Sequence, residues 1–197
     1  MIVYFRTMRI KDEQKQTAII EATVKLVNEI GFVASSVAKI AKEANVSPAT
    51  LYIYYKNKED LLVSTYVTIK QELSEAMLER FDKNAPIRDI LERVWFNAFA
   101  HIKKYPAHFL FAEQFSNCPY SSLVNKAELE QYFIPFLEVL QRGIEQKIIK
   151  NVPFDILFAF IFFPVLILSN QRHCEHFETS KENIHTAFTL AWDAIKL

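Results

Sequence analysis

The stretch SVAKIAKEANVSPATLYIYYKNK, residues 36–58, decides the fold. It reads as two short helices on either side of a tight turn, a helix-turn-helix. Ser35 and Ser36 supply the side-chain oxygen that caps the first helix. Ile40 and Ala41 face inward, and the small Ala41 and Ala44 let the two helices cross closely. Asn45 stands where the turn needs a positive φ, which asparagine tolerates better than other residues bearing a Cβ. Val46 plugs the turn into the core. Ser47 caps the second helix, and Pro48 takes its first position, where a missing N–H costs nothing. Leu51 and Tyr55, one turn apart, form the inward stripe. The outward face is then Pro48, Ala49, Thr50, Ile53 and Tyr54, with Tyr52 at one side.

Upstream, Ile19, Ala22, Leu26, Val27 and Ile30 recur at helical spacing, and Gly31 marks the helix end. Downstream, Asn57 with Glu59 and Asp60 opens a long helix expected to run to Phe81. Beyond Asn84 and Pro86 aromatics become dense, and further helices are predicted over 86–104, 107–116, 127–149, 156–168 and 180–195. Pro135 and Pro164 should kink or divide two of them. The class is all-α, about nine helices in total. A three-helix DNA-binding domain is expected in 1–60 and a larger helical effector-binding and dimerisation domain in 61–197.

Composition agrees. The 197 residues include two glycines, against roughly fourteen at average usage. Dinucleotide and phosphate-binding loops need several glycines in one turn, so those enzyme classes are excluded. No nucleophile elbow or metal-protease motif appears either, so an enzyme is not expected and no cofactor is called for. Charge is balanced, 23 basic against 23 acidic side chains, which excludes a globally basic nucleic-acid binder but not a local basic face. Within 36–58, Lys39, Lys42, Lys56 and Lys58 stand against Glu43 alone.

The run Phe32, Ser36-Val37, Ile40-Ala41, Ala44-Asn45-Val46-Ser47, Thr50-Leu51-Tyr52, Tyr55 and Lys58-Glu59-Asp60-Leu61-Leu62 resembles the TetR/AcrR transcriptional regulators. The resemblance covers about a quarter of the chain, in register; the remainder resembles the family in layout only. It implies that the second helix enters the DNA major groove, with Pro48, Ala49, Thr50, Ile53 and Tyr54 facing bases. It also implies phosphate contacts from the hydroxyls of Ser36, Ser47 and Tyr52, the Lys58 ammonium, and backbone N–H groups opening the following helix. Two departures from the pattern stand out: Asn45 replaces the usual turn glycine, and Pro48-Ala49 follows Ser47. Proline cannot hydrogen-bond a base, so readout is expected to rest on thymine-methyl contacts from Ala49 and Ile53, with Thr50 and Tyr54. The partner would be a palindromic operator in double-stranded DNA. Arg6, Arg9 and Lys11 are read as a solvated basic end rather than a minor-groove arm.

For the second domain, Trp95, Phe96, Phe99, Phe109, Phe115, Tyr132 and Phe136 are candidate walls of a cavity for a small, largely apolar effector. The competing reading of each is plain core. Asn97, His101, His108, Glu113 and Gln114 are polar groups that would orient a ligand. Every residue of 156–168 is apolar, but thirteen residues fall short of the roughly twenty a spanning helix needs, so no membrane insertion is expected. A helix apolar all round also suits a subunit interface. With the last helix, around Phe188 and Trp192, it is expected to form a four-helix homodimer contact, a role the resemblance also implies. His173, Cys174, Glu175 and His176 form an incomplete ligand set, and metal binding is not expected. Two cysteines without CxxC spacing fit a reducing cytoplasm. Residues 1–9 lack a signal-peptide core, and Met8 offers an alternative start.

The expected function is a homodimeric transcriptional repressor released from its operator by a small ligand. The alternative is a DNA-binding organiser or interaction protein of the same fold without an effector.

Overall fold

The structure, a computed structural model, describes residues 2–197, with side chains from residue 13 onward. Arg6, Arg9, Lys11 and the Met8 start lie outside the described side chains. Eleven α-helices are present among the described residues, and no strand beyond an isolated antiparallel bridge between Ile149 and Lys196. Two of the expected helices are divided at prolines. The 127–149 segment becomes α7 (Lys126–Gln131) and α8 (Ile134–Glu145), and the apolar run becomes α9 (Phe154–Ile161) and α10 (Phe163–Ser169).

The chain packs as two units. The first runs to Lys70 and takes in Pro106–Asn125; the second comprises Gln71–Tyr105 and Lys126–Leu197. This division differs from the one at residue 60, because a helix of the expected second domain packs into the first unit.

In the first unit, α1 (Ile2–Ala34) breaks at Gly31, where φ is 78° and only glycine sits without strain. Ser35 closes the break: its hydroxyl donates to the Gly31 carbonyl at 2.7 Å. α2 (Val37–Glu43) and α3 (Pro48–Tyr54) follow, and α4 (Lys58–Met77) begins. Ile19, Ala22, Ile40, Ala41, Ala44, Leu51, Tyr55 and Leu61 form one buried cluster. α6 (Pro106–Ser116) packs on α1. Polar side chains reinforce that contact: Asn28 donates to the Ala107 carbonyl at 2.9 Å and accepts from Gln114 at 3.0 Å, and His108 Nε2 lies 2.9 Å from Glu21. Phe32 meets Phe111, Phe115 and Tyr120, and Tyr66 stacks on Phe115 at 4.5 Å.

Lys70, near the middle of α4, is half-buried, and desolvation pulls its ammonium from the ordinary 10.5 down to about 8. The unfolded chain holds that proton up to the higher value, whereas the folded chain releases it near the lower one. The stability penalty is therefore full below about pH 8 and fades as pH rises toward about 10.5. Lys70→Met is expected to raise the melting temperature by several degrees near pH 7. The gain should vanish above about pH 10. Thermal melts of both forms across pH measure this; a gain constant with pH would remove the desolvation account.

In the second unit, α5 (Ile87–Lys104) buries Ile87, Ile90, Leu91, Val94, Trp95, Ala98, Phe99 and Ile102, and packs against α8, α10 and α11 (Lys181–Ile195). The helix expected to reach Phe81 stops at Met77, because α5 and its neighbours capture the carbonyls beyond. Asn97 donates to the carbonyls of Met77 and Glu79, and Arg93 to that of Arg80, whose φ is 57°. Arg142 holds the carbonyls of Lys83 and Ala85. Gly143 lies so close to Ile149 that a Cβ would meet its Cδ1 at 2.5 Å. Ser180 caps α11 by accepting from the Asn183 N–H at 3.1 Å.

Candidate nucleic-acid interface and apolar groove

The turn between α2 and α3 is built as its residue types require. Asn45 has φ 54°, and the Val46 N–H returns to the Ala41 carbonyl at 2.9 Å. Ser36 caps α2 by accepting from the Lys39 N–H. Ser47 caps α3, accepting from the Thr50 N–H at 3.0 Å and pairing with the Thr50 hydroxyl at 2.9 Å. Leu51 and Tyr55 are buried, and burial pushes the Tyr55 phenol above its ordinary value. Opposite them, Pro48, Ala49, Tyr52 and Ile53 are exposed, Ile53 to 80%.

The exposed face is narrower than the helical spacing suggests. Tyr54 is half-buried, packs against the core cluster and lies 6.4 Å from the Tyr55 ring. It follows Leu51 by three residues, so it shares the edge of the inward stripe. Thr50 is also half-buried, its hydroxyl engaged by Ser47. Lys58, expected to contact phosphate, also has partners inside the protomer. Its ammonium donates to the carbonyls of Phe32 and Val33, closing the C-terminal end of α1.

At the start of α4, the Asp60 N–H donates to Asn57 Oδ1 at 2.7 Å and Asp60 Oδ2 accepts from the Lys56 N–H at 2.8 Å, a reciprocal cap. Lys39, Lys42 and Lys56 are exposed around this surface, Lys39 reaching the Ala34 carbonyl at 3.1 Å. Glu43, the acid among them, is drawn aside by Lys25 at 2.5 Å.

Residues 19–65 match the family model of bacterial regulatory proteins of the tetR family, and residues 86–196 match that of the tetracyclin repressor-like C-terminal domain. The solved structure of a TetR family transcription regulator from Marinobacter aquaeolei VT8 is 36% identical. It superposes with a TM-score of 0.88, covering 95% of this chain and 98% of that one. The chain belongs to the TetR family. A fatty acid metabolism regulator protein of Bacillus subtilis is 39% identical over 80 residues, so the matched region spans 41% of that relative's length. The structure of FadR from Bacillus subtilis in complex with stearoyl-CoA shares the fold, with a TM-score of 0.70 at 23% identity, covering 89% of this chain and 95% of that one.

The aromatic residues nominated for an effector cavity fall into both units of this TetR-family regulator. Phe109 and Phe115 belong to the first, and Trp95, Phe96, Phe99, Tyr132 and Phe136 to the second. Trp95, Phe99, Phe115 and Phe136 are buried core side chains. Trp95 donates its indole N–H to the Ile161 carbonyl at 2.6 Å and meets Phe188 edge-on at 5.5 Å. Phe96, Phe109 and Tyr132 are half-buried. Of the polar candidates, Asn97, His108 and Gln114 are engaged in the helix-end and α1–α6 contacts described above.

An open apolar groove of about 830 Å³ lies instead along α9, α10 and α11, lined by Phe160, Phe163, Ile167, Phe177 and Leu190 among others. Phe160, Phe163, Ile167 and Leu190 are exposed. Phe188 and Trp192, expected to face a partner, point into the protomer, where Phe188 is wholly buried and Trp192 stacks beside it at 6.5 Å. The helix α11 has two apolar faces, and its largest side chains lie on the inner one, leaving Leu190 outward. His173, Cys174, Glu175 and His176 lie in turns rather than on a helix, and no three His, Cys, Asp or Glu side chains among the described residues are grouped to hold a metal ion. No helix among the described residues is long and apolar enough to cross a membrane.

Proposed function

We propose that this regulator is a homodimeric repressor, binding a palindromic operator through α3 and released from it by a small, largely apolar ligand. The observation that carries the reading is the exposed face of α3, held outward by the Ser47 cap and the buried Leu51 in a chain of this family. Pro48, Ala49, Thr50, Ile53 and the edge of Tyr54 face the bases. Ser36, Ser47, Tyr52 and the remaining N–H of Lys58 face phosphates. The groove of α9–α11 supports dimerisation, because exposed Phe160, Phe163, Ile167 and Leu190 form a continuous apolar surface of the kind a partner covers. The effector belongs to the second unit, where half-buried Phe96 and Tyr132, beside the core side chains Trp95, Phe99 and Phe136, are its candidate surroundings. The stearoyl-CoA held by the Bacillus subtilis neighbour makes long-chain acyl thioesters the first class to test. A ligand that binds the DNA-incompetent dimer better would move the two recognition helices out of register with successive major grooves. Such a protein works in the cytoplasm, beside the chromosome.

The test is binding to the promoter region of the protein's own gene. Affinity should fall steeply with salt as phosphate contacts release counterions. Tyr52→Ala should weaken it. Stearoyl-CoA or a shorter acyl-CoA should raise the melting temperature and release the DNA. Salt-dependent DNA binding unaffected by every acyl-CoA, with no thermal shift, would favour the effector-free organiser.

A further inference from the structure

The residues of α3 are Pro48, Ala49, Thr50, Leu51, Tyr52, Ile53 and Tyr54, so the helix carries no charged and no amide side chain. The side chains that read purines by paired hydrogen bonds in the major groove are arginine, lysine, asparagine and glutamine. None is present on this helix. Of its three hydroxyls, that of Thr50 pairs with Ser47 at 2.9 Å, Tyr54 is packed half-buried against the core, and Tyr52, 55% exposed, stands at the side assigned to phosphate above. Apart from the Tyr52 hydroxyl, what α3 presents outward is apolar, with Ala49 and Ile53 one helical turn apart on the same exposed side. An isoleucine exposed to 80% on a seven-residue helix has no role inside the protomer. The major groove offers one apolar group for such a surface, the C5-methyl of thymine.

We infer that this regulator selects its operator through thymine methyl groups seated on Ala49 and Ile53, with the exposed lysines Lys39, Lys42 and Lys56 supplying sequence-independent attraction. The inference rests on the DNA-binding reading above and deepens it: the ligand of α3 is a half-site with thymines at the positions beneath these two residues. Specificity then resides in methyl burial, and affinity resides mainly in phosphate contacts, so the two respond to different perturbations.

The experiment selects half-sites from a randomised duplex library with the full chain, then replaces single thymines by deoxyuridine, which keeps base pairing and removes only the methyl. Losing one buried methyl should weaken binding about fourfold, and losing it in both half-sites about fifteenfold. The salt dependence should stay unchanged. Ile53→Ala, which alters an exposed side chain and should leave the melting temperature intact, is expected to bind thymine and uracil operators equally at the position beneath residue 53. Uracil operators bound as tightly as thymine ones by the wild-type chain, with salt-dependent binding preserved, would overturn the inference and leave DNA binding standing. Half-sites selected without thymine would do the same. Failure to retain any duplex in a salt-dependent way would overturn the DNA-binding reading itself, and this inference with it.

Discussion

Phe163→Glu combined with Leu190→Glu is expected to yield a monomer at micromolar concentration that no longer holds operator DNA, while keeping its helical content. Both side chains are exposed, at 49% and 69%, so neither supports the protomer's own core. Both line the groove formed by α9, α10 and α11. In a two-fold interface each substitution appears twice, on surfaces that face one another. Four carboxylates would then be withdrawn from water without partners, at several kcal/mol each. That exceeds what an apolar contact of this kind offsets. Operator affinity should follow, because two half-sites bound by linked recognition helices gain on the order of 100-fold or more over one half-site alone. Sedimentation equilibrium measures the first effect and gel retardation the second. A double variant that stays dimeric would take this groove out of the interface. Phe188 and Trp192 offer no such test, since both are buried within the protomer and their loss would act on folding.

The difference between those two pairs of residues shows where sequence reading succeeds and where it fails. The helix-turn-helix was legible because its signals are local. Asn45 at positive φ, Ser36 and Ser47 as caps, Pro48 opening α3 and Asn57 with Asp60 opening α4 each act within four residues of where they stand. The breaks at Pro135 and Pro164 were legible for the same reason. Long-range partnerships were not. Nothing near Lys58 indicates that its ammonium will close the end of α1, 26 residues upstream. Asn28 and Gln114 meet across a separation of 86 residues, and so bring α6 into the first unit. The outer and inner faces of α11 are both apolar, so periodicity alone chose the heavier one. Aromatic residues present the same difficulty, because core and cavity wall have the same composition. Tyr54 lay on the boundary of a stripe that helical spacing defines only to within about one residue's angular width.

Trp95→Phe should lower both stability and dimer affinity, because one side chain braces both helices that flank the groove. The break between α9 and α10 originates at Pro164, which has no N–H to continue the helical ladder. The Val165 N–H turns back to the Phe162 carbonyl at 3.0 Å, and the Ile161 carbonyl is bonded by the Trp95 indole instead. The same indole lies edge-on to Phe188 of α11 at 5.5 Å and tilted to Phe99 at 6.0 Å. Phenylalanine keeps most of the packing and removes the donor, leaving a buried carbonyl unpaired at a cost of about 1–3 kcal/mol. Trp95→Ala removes the packing too and should cost about 3–5 kcal/mol for the lost ring alone. Ile40→Val, in the core of the helix-turn-helix, should cost about 0.5–1.5 kcal/mol. It lies in the other packed unit, so it serves as the comparison. It is expected to lower stability without changing dimer dissociation, whereas Trp95→Phe should weaken association more than its effect on protomer stability explains, since α9 and α10 lose the bond that sets their relative angle. Denaturant unfolding at several protein concentrations separates the two contributions. If Trp95→Phe dimerises as tightly as the wild-type chain, the angle of the break is set by Pro164 alone and the indole hydrogen bond serves only the core.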